Sequence, residues 1–144
     1  MAVKNYDAKD VTIIWNGIIV EGYADGTFVS VARDNPSFNK IVGSDGEGAR
    51  AQSNDRSGTI TLTLMQTSIT NDLFSSAIAV DEQTGDGVGP FLMKDQNGTT
   101  LCEAQTAWLQ KPADQTFARE IETREWIIET TDLVIFGGGA SQIG

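Results

Sequence analysis

The chain has 144 residues, 40% of them hydrophobic, which suffices for one domain with a core of its own. Twenty acidic and ten basic residues give a formal net charge of −10, which disfavours binding to nucleic acid or to an anionic membrane. Histidine is absent and Cys102 is the one cysteine. This composition removes the usual nucleophile–base pairs, most zinc sites and any intrachain disulfide.

The N-terminal segment mixes Lys4 and Lys9 with Asp7 and Asp10, and no long apolar run follows it. It therefore does not have the charge and hydropathy pattern of a secretion signal or a membrane span. We expect a soluble protein made in the cytoplasm.

The first half of the chain is predicted to form short strands joined by turns. Val11–Trp15 and Ile18–Gly22 flank Asn16-Gly17, a strong signal for a tight hairpin because both residues tolerate a positive φ. After a turn at Asp25-Gly26, two more strands are predicted, Thr27–Arg33 and Ser37–Val42.

The stretch 43–58, GSDGEGARAQSNDRSG, is predicted to be a long extended loop. It contains four glycines, five charged residues and no large apolar side chain, so it has nothing to contribute to a core. Two interpretations stay open, a mobile surface loop and an arm that orders against a neighbouring subunit. The candidate contact residues of such an arm are Asp45, Glu47, Arg50, Gln52, Asn54, Asp55 and Arg56.

The segment Thr59–Met65 alternates threonines with apolar residues, which is typical of a strand with one face on the core. A helix is then predicted from Asn71 to Glu82, with Thr70 as N-cap and with Ile69, before the cap, packing on Phe74 as a hydrophobic staple. The residues predicted to pack this helix on the sheet are Ile69, Leu73, Phe74, Ala77 and Ile78.

The second half is again strand-rich. A hairpin is predicted from Phe91–Lys94 and Thr100–Leu109, followed by one long strand over Glu120–Phe136 and a flexible glycine-rich tail at 137–144. Many short strands, one helix and no βα alternation predict a mainly β fold. We expect a single domain, 1–144, built as an antiparallel β-sandwich or barrel with one flanking helix.

No motif predicts a catalytic residue, a metal site or a cofactor. Asp95–Gly98 begins like a calcium loop but lacks the closing acid, and it fits a hairpin turn better. The glycines of 85–89 follow a helix, which is the wrong context for dinucleotide binding. A pair of carboxylates acting as a hydrolase stays open as an alternative, with no specific signal behind it.

Three segments resemble the tube proteins of long contractile phage tails. The most specific is GSDGEGARAQSNDRSGTITLTLMQTSITND at Gly43–Asp72, in which a charged glycine-rich segment leads into a Thr/Leu strand and then a helix. DVTIIWNGIIVEGYADG at Asp10–Gly26 resembles the opening hairpin of those proteins, and REWIIETTDLVIFGGG at Arg124–Gly139 resembles their last strand.

The resemblance implies a structural virion protein that forms hexameric rings, stacked into a hollow tube inside a contractile sheath. Implied partners are further copies of the chain and the sheath, tape-measure, baseplate and tail-terminator proteins, in a tail assembled in the host bacterial cytoplasm. Double-stranded DNA would pass through the tube without specific binding.

If the tube carries DNA, acidic side chains are expected to line its channel. The candidates are Glu120, Glu122, Glu125 and Glu129. Strand alternation would place the first two opposite the last two, so at most one pair would face the lumen.

Two alternatives remain besides the hydrolase. One is the tube of a phage-derived contractile bacteriocin. The other is a non-catalytic β-sandwich that binds a ligand such as a glycan on a virion or cell surface. Exposed aromatic residues would favour the second, but Trp15, Trp108 and Trp126 all fall in predicted strands.

Overall fold

The computed structural model describes residues 6–96 and 98–138, which form antiparallel β-sheet with one α-helix. This confirms the mainly β prediction with a single flanking helix. After a 3₁₀ turn at Ala8–Asp10, the elements are β1 Val11–Trp15, β2 Ile18–Ile19, β3 Val29–Arg33, β4 Phe38–Val42, β5 Gly48–Gln52, β6 Gly58–Met65, α1 Ile69–Thr84, β7 Gly89–Asp95, β8 Leu101–Leu109, β9 Thr123–Thr130 and β10 Val134–Phe136.

Eight of the strands form one sheet in the order β2-β1-β7-β8-β9-β6-β3, with β10 beside β8. Along the same edge, β8 pairs with β10 through residues 101–103 and with β9 through residues 107–109. Among the described residues, β4 and β5 pair only with each other, as a separate two-stranded sheet.

The segment that follows β2 joins the two ends of the large sheet. Val20 donates its N–H to the Ile13 carbonyl of β1 at 2.9 Å. On β6, Ala24 donates to the Thr63 carbonyl at 3.1 Å, and Met65 donates to the Gly22 carbonyl at 2.8 Å. Because one short segment is hydrogen-bonded both to β1 and to β6, it bridges the two sides of the sheet and closes it into a small barrel.

The barrel interior is filled by buried side chains of β1, β6, β7, β8 and β9. Ile60, Leu62 and Leu64 of β6 are fully buried, as strict alternation requires. Phe74 of α1 is also fully buried, and it meets the rings of Trp15 and Trp126 edge-on at centroid distances of 5.7 and 5.4 Å. The helix is thereby fixed to the core through one aromatic cluster.

The start of the helix differs from the prediction. Ser68, not Thr70, is the N-cap, and its Oγ accepts from the Thr70 N–H at 3.2 Å. The Thr70 hydroxyl is buried and accepts from the Glu21 N–H at 3.0 Å. The hydroxyl that was predicted to cap the helix therefore makes a tertiary contact instead. The staple is wrong as well, since Ile69 lies within the helix and is 53% exposed. Leu73, predicted to pack on the sheet, is 44% exposed.

The predicted long strand over Glu120–Phe136 is also wrong, because the chain breaks between β9 and β10. At the break the Asp132 carboxylate accepts from the backbone N–H groups of Gln105 and Thr106 at 3.1 and 3.2 Å. Beyond this break the chain no longer pairs with β6, and it continues along the same edge of β8 as β10. Leu133 is fully buried beside Gly58. A side chain at position 58 would collide with that of Leu133.

The stretch 43–58 was predicted to be a loop, but most of it forms the turn and the second strand of a β-hairpin. β5 lies inside it, joined to β4 by a turn over residues 43–47 in which Gly46 has φ +86°. The remainder, 53–57, connects β5 to β6, which begins at Gly58. Of the predicted glycine-rich tail, residues 139–144 lie outside the described part of the chain, as does Asn97 in the second hairpin's turn.

Candidate assembly surfaces

Within residues 6–96 and 98–138, no three His, Cys, Asp or Glu side chains are grouped so as to hold a metal ion. Over the same residues, no helix has the length and apolar character needed to cross a membrane. Cys102 is buried, and this burial raises the pKa of its thiol. The prominent features are two exposed surfaces.

The first surface is the β4–β5 hairpin, residues 38–52, called the arm below. All ten of its strand residues are exposed. Its apolar side chains are exposed with the rest, with Phe38 at 44%, Ile41 at 67% and Val42 at 62%. An ordered hairpin with no buried residue contributes no hydrophobic stabilisation to its own subunit.

The base of the arm is held by hydrogen bonds. The Asp55 carboxylate accepts from the Ser57 hydroxyl at 2.7 Å, the Ser57 N–H at 2.9 Å and Asn35 Nδ2 at 2.8 Å. The bonds from Ser57, with a smaller effect from Asn35, lower the pKa of Asp55. Ser53 also donates its N–H to the Ser37 carbonyl at 2.8 Å. The direction in which the arm leaves the barrel is therefore fixed.

The predicted contact residues of 43–58 fall in three places. Asp45 and Glu47 lie in the arm's turn, where Asp45 Oδ1 accepts from the Glu47 N–H at 3.2 Å. Arg50 and Gln52 lie on β5. Asn54, Asp55 and Arg56 lie in the connector to the barrel, and Arg56 accepts a backbone bond from Leu133 at 2.9 Å.

The second surface is the outward face of β6 and β9, called the threonine–glutamate face below. Thr63 is paired with Glu125, Thr61 with Ile127 and Thr59 with Glu129, so these side chains share one face. Glu125 is exposed, and the half-buried Glu129 accepts from Gln110 Nε2 at 3.0 Å. On β3 the face continues with Ser30 and Ala32. It presents hydroxyls and carboxylates and no basic side chain from these three strands.

The other two acidic candidates lie off this face. β9 begins at Thr123, so Glu120 and Glu122 precede the strand, and the predicted alternation across all four glutamates is wrong. Glu122 is instead tied to Gln66, whose side chain accepts the Glu122 N–H at 3.1 Å. Glu120 is exposed.

Sequence reasoning missed the role of Asp132. Burial alone would raise its pKa, but hydroxyl bonds from Thr130 and Thr106 and backbone bonds from Thr106 and Gln105 lower it overall. An available signal was Asp132 directly before the apolar run Leu133–Phe136, since Asp is depleted in strand interiors.

A closed barrel that carries an exposed arm, held at its base by hydrogen bonds, and a polar sheet face has the features of a subunit that contacts other chains. The chain belongs to the family described as Bacteriophage PhiTE tail tube protein, whose model matches residues 15–138. This confirms the resemblance to phage tail tube proteins.

Similar proteins agree with this membership. Structural protein ORF10 of Pseudomonas phage KPP10 is 28% identical over 148 residues, which cover 97% of this chain and 86% of that protein. Two cryo-EM structures share the fold. The tube-terminating cap of the anti-feeding prophage has a TM-score of 0.62 at 11% identity and 94% coverage of both chains. The sheath/tube terminator of the extracellular contractile injection system PVC, in its extended state, has a TM-score of 0.63 at 9% identity, covering 95% of this chain and 100% of that one.

Proposed function

We propose that this chain is a non-enzymatic, single-domain building block of a phage tail that assembles into hexameric rings stacked as the inner tube. The tube lies inside a contractile sheath in the virion and conducts DNA during ejection. The observation that carries the proposal is the arm, an ordered hairpin whose ten strand residues bury nothing in their own subunit. Membership of the tail tube family gives that surface its role.

The arm supplies the contact between subunits. Exposed apolar residues at its strands, Phe38, Ile41 and Val42, gain burial only when another chain covers them. Each subunit offers the same arm to a neighbour, and repetition of one heterologous contact closes a ring or extends a stack. Of the predicted contact residues, Asp45, Glu47, Arg50 and Gln52 lie within the arm and are exposed.

The threonine–glutamate face lines the channel. Its carboxylates repel DNA phosphates and its hydroxyls keep it wetted, so the duplex passes without being held. Glu125 and Glu129 carry this role, and Glu120 and Glu122, which lie off the face, do not.

Assembly takes place in the host bacterial cytoplasm before the tail is complete. The partners of the tube are the tape-measure protein along its length, the baseplate and tail-terminator proteins at its two ends, and the sheath around it.

The test is to concentrate the purified full chain and examine it by negative-stain microscopy and sedimentation velocity. Stacked tubes with a central channel and sixfold end views are expected. Single rings that never stack would instead indicate a terminator. Monomers at every concentration would overturn the proposal and favour a ligand-binding module.

A further inference from the structure

One face of the arm combines two positive charges with apolar side chains. Lys40 and Arg50 are directly paired across the hairpin, so they lie on the same face, which also carries Phe38 and Val42. The Arg50 guanidinium lies over the Phe38 ring, 4.1 Å from its centroid. Like charges directly opposite each other destabilise a hairpin, and a partner with negative charge would reverse that effect.

Neither cation is neutralised within the described part of the subunit. Over residues 6–96 and 98–138, the one ion pair closer than 4.0 Å joins Lys111 and Asp114, far along the chain from the arm. The arm's strands contain two basic residues and no acidic one, in a chain with a net charge of −10. The complementary surface should therefore be apolar and acidic.

The helix offers such a surface beside its buried stripe. Ile69, Leu73 and Val80 follow one side of α1 and are 53%, 44% and 53% exposed. Between this side and the turn after β1 is a groove of about 280 Å³. Its lining residues are Trp15, Asn16, Leu73, Ser76, Ala77, Val80, Asp86 and Gly87. The barrel therefore covers only part of the apolar surface of α1, and the rest is exposed.

The groove is also acidic at one end. The chain has no basic residue from Ser57 to Met93, while Asp81, Glu82 and Asp86 cluster at the end of the helix. Asp81 accepts the Gly87 N–H at 3.0 Å and so fixes the loop that carries Asp86. The last turn of α1 has no basic residue, which leaves its exposed carbonyl ends without a cation.

We propose that the arm of one copy docks into the helix groove of a neighbouring copy. Phe38 and Val42 cover Leu73 and Val80, while Lys40 and Arg50 lie near Asp86 and the C-terminal end of α1. Every copy carries both halves of this contact, and the two halves match in charge and in apolar character. The inference rests on the proposed self-assembly, because it names the partner surface for the arm.

Cysteine crosslinking tests the contact directly. Lys40→Cys chains are mixed with Ser76→Cys chains, allowed to assemble and oxidised, and free thiols are blocked before denaturation. Ser75→Cys is the matched control, since Ser75 is the adjacent exposed serine but lies on the opposite flank of α1. We expect a disulfide-linked dimer with Ser76→Cys and at least tenfold less with Ser75→Cys. The native Cys102 is buried and common to all chains.

Charge exchange gives a second readout. The double variant Lys40→Glu, Arg50→Glu should raise the concentration needed for assembly at least tenfold, and adding Asp86→Lys should recover most of that loss. Melting temperatures near that of the wild type show that each variant is folded.

The outcomes separate the two proposals. Tubes with equal crosslinking at both serines, or with none, overturn the groove contact and leave the tube assignment intact. Failure of the Asp86→Lys exchange to recover assembly also counts against the groove. If the wild-type chain never assembles, the tube proposal fails and the groove contact fails with it.

Discussion

β6 and the arm are both regular antiparallel structure, yet they are stabilised in different ways. In β6 every second residue is buried, and Ile60, Leu62 and Leu64 are fully enclosed. In the arm no strand residue is buried. Burial of apolar area, at roughly 25 cal/mol per Å², stabilises β6, whereas the arm is held by its ladder bonds and by the bonds at its base.

This contrast separates two properties of the molecule. The barrel should determine whether the subunit folds, and the arm should determine whether subunits assemble. This separation is tested by variants that change only the stability of the subunit or only its assembly.

The largest effect is expected at Phe74. Phe74→Asp removes a fully buried ring and leaves an unpaired charge among Trp15 and Trp126, so it should cost more than about 3–5 kcal/mol and unfold the barrel. Leu73→Asp is the matched control one residue away on the exposed side, and it should change stability by no more than about 0.5 kcal/mol. Urea unfolding followed by tryptophan fluorescence measures both. A stable Phe74→Asp protein would mean that the helix does not anchor the core.

A smaller effect is expected at the break between β9 and β10. Asp132→Asn should cost about 1–3 kcal/mol at neutral pH, because bonds from Thr106 and Gln105 lose their charged acceptor. The folded pKa of Asp132 is lowered, so its contribution is present above the unfolded pKa of about 4 and disappears as the pH falls through the folded value. The wild-type and variant unfolding free energies should therefore converge below about pH 4. A difference that stays constant with pH would contradict the role of the carboxylate. Asp114→Asn, at an exposed ion pair, is the control.

The local sequence pattern correctly predicted the elements that have one buried and one exposed face. The alternation of Thr59–Met65 corresponds to β6, and Asn16-Gly17 forms the expected turn, with Asn16 at φ +50° and Gly17 at φ +80°. The failures depend on contacts distant in sequence. The break at Asp132 needs β8, and the displaced N-cap needs Glu21, which binds the Thr70 hydroxyl.

The assembly surfaces were predictable only in part. Composition identified 43–58 as unable to join a core, but β5 contains no β-branched or aromatic residue, so its strand character was hidden. The groove was missed for the opposite reason. By periodicity alone, the exposed Leu73 looks like a core residue of α1, and only the position of the barrel distinguishes it from the buried Phe74.

Removal of the arm tests the separation most directly. Replacing residues 38–52 with a short Gly/Ser linker should leave the unfolding free energy of the barrel within about 1 kcal/mol of the wild type, because the removed strand residues are all exposed. Assembly should be lost. Sedimentation velocity and urea unfolding measure the two properties on the same sample. Normal tubes from the armless chain would mean that the arm is not the contact between subunits.

The smallest effect on stability, and the most specific effect on function, is expected at the threonine–glutamate face. Glu125→Lys with Glu129→Lys changes two side chains that point away from the core, so folding and tube formation should be preserved within about 0.5 kcal/mol. In an assembled tube, the new lysines would lie within about 8 Å of passing phosphates, one Debye length at physiological salt, where attraction is incompletely screened. Variant tails should therefore eject DNA more slowly, and the slowing should diminish as salt rises, because phosphate binding releases counterions. Glu120→Lys, an exposed glutamate off the face, controls for a change of net charge alone. If the double variant ejects DNA at the wild-type rate, or the control slows ejection equally, the face does not line the channel, although the tube assignment would stand.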